Sequence, residues 1–214
     1  HDFYRPMAHH QLTAGVDKNG KVVAWSHQYA GTPKYYRRDN VKPEELFGAD
    51  IYVDDFPSGR VDNLQYEYSP VIFGAPQGSW RAPAHTANAF VVESFLDEVA
   101  EQTQQDPLTL RLNMLGEAQK LPYSNHGGPH FDTGRLAGVL KAAADAGKWG
   151  RKMPSGKGLG IAGHFTFGGY CACVVEVTLL DDTQFRVDNV YAAIEVGQVV
   201  NPEGIEAQVE GGLN

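Results

Sequence analysis

The stretch Gly78-Ser79-Trp80-Arg81-Ala82-Pro83-Ala84-His85, with the apolar run behind it, constrains this chain more than any other feature. A Gly- and Pro-punctuated segment delivers an aromatic ring and an arginine. It then passes into Val92, Phe95, Leu96 and Val99, spaced i, i+3, i+4 and i+7. That spacing sets four apolar side chains on one face of an α-helix, predicted over about 84–103. Pro83 suits its first turn, where a missing N–H costs nothing. Arg81 then stands just before a helix N-terminus, where backbone N–H groups and the helix dipole favour an anion. The plainer alternative is that Trp80 packs and Arg81 caps the helix or pairs with a carboxylate.

Around this stretch the chain is that of an ordinary globular protein. Its 214 residues suffice for one large domain or two small ones, with 42% hydrophobic and 21% charged residues. A net charge of -8 argues against a nucleic-acid footprint. No apolar run approaches the roughly 20 residues a membrane span needs. His1-Asp2-Phe3-Tyr4-Arg5-Pro6 does not have the charged-then-apolar order of a secretory leader. Both ends read as cut, so a fragment is expected. Cys171 and Cys173, at i and i+2, suit neither a disulfide nor a metal site and are read as small core residues.

Taken in order, residues 11–30 read as a hairpin turning at Asp17-Lys18-Asn19-Gly20. Residues 31–63 are irregular, with a helical turn at Pro43–Phe47 and a loop at Asp54–Gly59 whose paired aspartates are expected in solvent. Residues 66–73 read as a strand. After the long helix, Asp106 and Pro107 provide the N-cap and first residue of a second, with Leu108, Leu112 and Leu115 on its face. Thr133 is expected to cap a third, carrying Leu136, Val139, Leu140 and Ala143. A basic link, Arg151–Lys157, leads to strands over 158–200, in which Cys171, Cys173, Val175, Val177 and Leu179 would share one face. Asn201 and Pro202 open a last helix, with Gln208 about two turns inside it. The order predicts an α+β fold, with a first part over 1–150 and a strand-rich part over 151–214.

Two blocks of this sequence resemble the large, molybdopterin-binding subunit of molybdenum hydroxylases, the xanthine dehydrogenase and aldehyde oxidase superfamily. The first holds Gly78–Pro83, Asn88–Glu98 and Asp106–Arg111; the second holds Cys173–Val177, Ile194–Pro202 and Gln208–Gly212. The isoquinoline 1-oxidoreductase beta-subunit branch is the nearest in pattern. The resemblance implies a fragment of that molybdopterin-binding domain, mixed sheets packed with helices. It implies a molybdenum–molybdopterin cofactor, in bacteria often the cytosine dinucleotide form. It also implies hydroxylation of a small aldehyde or N-heterocycle with oxygen from water, and an iron–sulfur subunit that takes the electrons. By position, Trp80 and Arg81 match the aromatic-Arg-Gly loop beside the metal centre. Gln208, Gly211 and Gly212 match the Gln-x-Glu-Gly motif near the pterin, the glycines allowing close backbone approach.

The sequence departs from the family in Ala82-Pro83-Ala84, which stands where a more glycine-rich run is usual. The family's catalytic glutamate, the general base, is expected beyond Asn214, and Glu195, Glu206 and Glu210 do not replace it. The isolated chain is therefore expected to be inactive. Two other classes fit parts of the sequence. One is a non-catalytic α+β binding module using residues 31–63. The other is a metallohydrolase using His126, His130 and one of His9, His10 or His164.

Overall fold

A computed structural model describes residues 3–37, 39–124 and 130–213. The chain is α+β and forms two compact units, residues 1–116 with 122–125, and residues 117–121 with 126–214.

In the first unit, β1 (Ala8–Val16) and β2 (Val22–Gly31) form the predicted antiparallel hairpin. Its turn is set locally. The Asp17 carboxylate accepts the N–H groups of Asn19 and Lys21 at 2.8 and 2.9 Å, and Gly20 takes the left-handed φ of 81°. β3 (Asn63–Pro70) returns parallel to β2, giving the order β1-β2-β3. A parallel return needs a long crossover. Residues 32–62 supply it, with a 3-10 turn at Pro43–Ala49.

Helices α1 (His85–Gln102) and α2 (Pro107–Leu115) complete the unit. The predicted α1 stripe faces the core. Leu96 and Val99 are buried beside Val22, Trp25, Leu110 and Met114, with Val92 and Phe95 packed against them. The Trp25 and Phe95 rings meet edge to face at 5.0 Å. Asp106 caps α2 by accepting the Thr109 N–H at 2.8 Å. The buried stripe of α2 is Leu110, Arg111, Met114 and Leu115 rather than Leu108 and Leu112, which are the less buried leucines. Arg111, 1% exposed, donates to Glu93 at 2.7 Å and pairs with Asp97 at 2.9 Å. A buried guanidinium needs such partners, because an unpaired charge out of water costs several kcal/mol.

In the second unit, β4 (Lys120–Pro122) pairs with β5 (His130–Asp132). Helix α3 (Thr133–Ala146) follows. Its cap is Asp132, whose carboxylate accepts the N–H groups of Gly134 and Arg135. Thr133 is instead buried, its hydroxyl spent on the Glu117 carbonyl and the Gln119 N–H. Strands β6 (Lys157–Thr166), β7 (Gly169–Leu179) and β8 (Phe185–Glu195) form an antiparallel sheet in that order, and α3 packs on it through Leu136, Val139, Leu140 and Ala143. The covered face of β7 is Tyr170, Ala172 and Val174. The cysteines lie on the other parity, Cys171 exposed and Cys173 half-buried, so they are not core residues. Helix α4 (Pro202–Leu213) starts at Asn201, whose carboxamide accepts the Gly204 N–H at 3.2 Å. None of its described residues is buried.

Candidate functional site

The loop before α1 is held by the start of the chain. Tyr4 and Gln77 form a parallel bridge, the Trp80 indole N–H donates to the Phe3 carbonyl at 2.7 Å, and the Arg5 guanidinium lies 5.2 Å from the Trp80 ring centre. Gly78 is required here, since a Cβ at that position would sit 2.7 Å from the Cβ of Phe3. Trp80 is still 53% exposed, and Arg81 is exposed beside it.

The loop is strained where the sequence departs from the family pattern. Ala82 and Ala84 both take left-handed conformations, φ 55° and 57°, on either side of Pro83. An L-residue with a Cβ pays about 1–2 kcal/mol for that conformation, and such strain concentrates at functional sites. The strain has a local return. The Ala82 carbonyl accepts both the N–H and the hydroxyl of Thr86, and the Pro83 carbonyl accepts the His85 N–H. The loop's own carbonyls therefore fill N–H groups that the sequence offered to an anion. Pro83 stands two residues before α1 rather than in its first turn.

Beside the loop lies a cavity of about 340 Å³, lined by Gly78, Ser79, Pro83 and Ala84 and by the opposing Tyr29, Asp50 and Phe90. Asp50, 3% exposed, accepts the Lys34 N–H at 3.2 and 3.3 Å and the Tyr68 hydroxyl at 3.0 Å. Its carbonyl accepts from the Asn88 side chain at 3.0 Å, which ties α1 to the floor of the cavity. Burial pushes the Asp50 carboxyl up to about 6. Asp54 and Asp55 are not a solvated turn. Asp54 accepts the Ser124 N–H at 2.6 Å, and Asp55 accepts the Tyr123 hydroxyl at 2.6 Å with the His85 Nδ1 3.8 Å away. Burial raises the Asp55 carboxyl to about 7. No local pattern marks Asp50 or Asp55 in the sequence. Their partners stand far along the chain, and distant tyrosines facing an Asp are the only signal.

The other predicted residues fall as follows. His10 and His27 share a hydrogen bond of 2.8 Å, and burial lowers both, His27 to about 4. His130 is exposed, and His126 lies outside the described residues. In the second unit, Gln208, Gly211 and Gly212 are exposed on α4, and a Cβ built on either glycine meets no atom within 4 Å. Glu195 pairs with Arg135 and accepts the Gly197 N–H at 2.6 Å, which holds its carboxyl below the usual range. Arg135 in turn stacks on Tyr170 at 4.3 Å. Among the described residues, no helix is long and apolar enough to cross a membrane.

Comparison with known proteins agrees with the two sequence blocks. Residues 132–214 match the model of the molybdopterin cofactor-binding domain. Over 99% of its length the chain is 29% identical to the isoquinoline 1-oxidoreductase subunit beta of Brevundimonas diminuta, and it spans 26% of that protein. Two solved aldehyde oxidoreductases are similar over 86% of this chain and 21% of theirs. The enzyme from Desulfovibrio gigas is 17% identical with a TM-score of 0.48, and that from Desulfovibrio desulfuricans is 14% identical with a TM-score of 0.41. The chain thus spans about a quarter of the curated relative it matches. The cofactor-domain match covers residues of the second unit, and the similarity to the isoquinoline 1-oxidoreductase beta subunit runs along nearly the whole chain.

Proposed function

We propose that this chain is a segment of the large subunit of a molybdenum hydroxylase that inserts water-derived oxygen into a small aldehyde or N-heterocycle. The observation that carries the reading is the cofactor-domain match over residues 132–214, which runs through Gln208-Val209-Glu210-Gly211-Gly212 on α4.

The residues present fit the cofactor. Gly211 and Gly212 are helical and face open space, so packing within the described residues does not require glycine at either position. A bare helix face suits close approach by a large polar ligand, with the Gln208 carboxamide able to donate and accept along its edge. On the first unit, exposed Arg81 carries a planar guanidinium whose fork geometry suits an oxyanion. Trp80, fixed by Phe3 and Arg5, limits where the loop can move. Molybdopterin, in the cytosine dinucleotide form, would be held by Trp80, Arg81, Gln208, Gly211 and Gly212. When bound it would supply the oxo-transfer and redox chemistry, while the protein binds and orients.

Glu195 is committed to Arg135 and Gly197, which supports placing the general base outside this chain. The isolated chain is accordingly inactive, and an iron–sulfur subunit accepts the electrons in the complete enzyme. The test is the molybdenum and pterin content of the complete protein purified with its partner. Near-stoichiometric molybdenum, reduced in Arg81→Ala and Gln208→Ala, is the expected result. Absence of molybdenum and pterin from protein made in a host that synthesises the cofactor would overturn the reading.

A further inference from the structure

The cavity beside the loop has features that do not depend on the cofactor reading. Its walls are largely apolar, formed by Met7, Pro83, Phe90 and Val91, with the Tyr29 ring at one side. At about 340 Å³ it lies at the small end of the ligand-pocket range, enough for one or two rings. Asp50 is its buried acidic group.

Asp50 is out of water, and the Lys34 charge is only the smallest of the influences on its carboxyl. Among the described residues it has no ion-pair partner; it accepts only the Lys34 backbone N–H and the Tyr68 hydroxyl. A carboxylate has about four acceptor sites. One shared N–H and one O–H leave acceptor capacity over. The two basic side chains that also line the cavity are directed at aromatic rings. The Lys34 ammonium lies 5.0 Å from the Tyr35 ring centre, and the Arg5 guanidinium 5.2 Å from that of Trp80. A buried carboxylate among apolar walls gains most from a flat partner that brings a positive charge and an N–H donor.

We propose that this cavity binds a small planar organic cation, with the Asp50 carboxylate as the group that recognises it. The ring lies between the apolar walls, and the cationic N–H donates to Asp50. Anionic ligands of the same shape bind less well, because the carboxylate repels them.

The test uses the 214-residue chain and three probes built on one ring, benzamidine, benzamide and benzoate, titrated by calorimetry at pH 7.5. Benzamidine is expected to bind, benzamide more weakly, and benzoate at least tenfold more weakly. Asp50→Asn, checked by circular dichroism for an unchanged fold, is expected to lower benzamidine affinity by about tenfold to a hundredfold, the range for a hydrogen bond to a charged group. If the variant does not fold, the probe series on the unaltered chain decides alone. Benzoate binding as tightly as benzamidine, no binding of benzamidine, or unchanged affinity in a folded Asp50→Asn variant would each overturn the proposal. None of these readouts depends on molybdenum, so failure here is distinct from failure of the cofactor reading.

Discussion

The Trp80 indole N–H donates to the backbone carbonyl of Phe3 at 2.7 Å, across 77 positions of sequence. The loop that presents Arg81 is therefore held against the start of the chain, and the same contact leaves the Trp80 ring half in solvent. Trp80→Phe keeps an aromatic ring for Arg5 but removes the donor. The expected cost is about 0.5–1.5 kcal/mol in a denaturant titration, the net worth of one hydrogen bond. Faster amide exchange is expected at Tyr4 and Gly78, whose N–H groups bond to Pro76 and Tyr4. An unchanged exchange pattern would show that the clamp does not hold the loop.

Ala82→Gly should stabilise the protein. Its φ of 55° is a conformation glycine adopts freely. Relief of about 1–2 kcal/mol of strain is partly offset by the larger entropy glycine loses on folding, leaving a gain of about 0.5–1 kcal/mol. Thermal unfolding of the variant checks the sign. A lower midpoint would mean that the Ala82 methyl packs usefully enough to outweigh the strain.

How much of this was legible in the sequence depended on how local the cause was. The Asp17 turn, the Asp106 cap and the α1 stripe were all readable, because each is a bond or a packing face set within a few residues. The face of β7 was not. Tyr170, Ala172 and Val174 alternate with Cys171, Cys173, Val175 and Val177, so both parities are apolar and only the seat of α3 decides which is covered. The same holds for α2, where leucines stand on more than one side and packing selects Leu110 over Leu108. At the site, the loop and its arginine stood out by motif. Asp50 and Asp55 did not, since Tyr68 and Tyr123, which bind them, are brought in by the fold.

Asp50 also sets a pH signature. Its folded-state pKa, about 6, lies above the ordinary carboxylate value of 3.8, so the folded state holds a proton the unfolded chain has lost. The contribution is fully present below about 4 and is lost as pH rises towards 6 and beyond. Asp55 acts in the same direction up to about 7, whereas His27, lowered to about 4, costs stability as pH falls below 6.5. The difference between the unaltered chain and Asp50→Asn isolates the single group. That difference should grow in favour of the variant from pH 4 to pH 6 and reach about 2–3 kcal/mol. Urea titrations at four pH values measure it. A variant more stable at pH 7.5 yet unable to bind benzamidine would show a group kept for recognition at the expense of stability. A flat difference across this range would refute the raised pKa.

The two faces of the β6–β8 sheet predict opposite responses to one methyl group. At Gly163 an added Cβ would stand 2.8 Å from Leu140 Cδ2 and 3.3 Å from Leu136 Cδ1, against the face that α3 covers. At Gly160, three residues earlier on the same strand and pointing the other way, it would meet nothing within 4 Å. Gly163→Ala must either push α3 outward or force its leucines off their rotamers, which costs about 1–3 kcal/mol in a packed core. Gly160→Ala fills no occupied space and removes glycine's extra backbone entropy from a strand, so it should be neutral or stabilising by up to about 1 kcal/mol. Paired denaturant titrations with matched slopes give both values. Equal costs at the two positions would mean that α3 does not seat on the face carrying Gly163, and with it the assignment of Tyr170, Ala172 and Val174 to the covered side would fall.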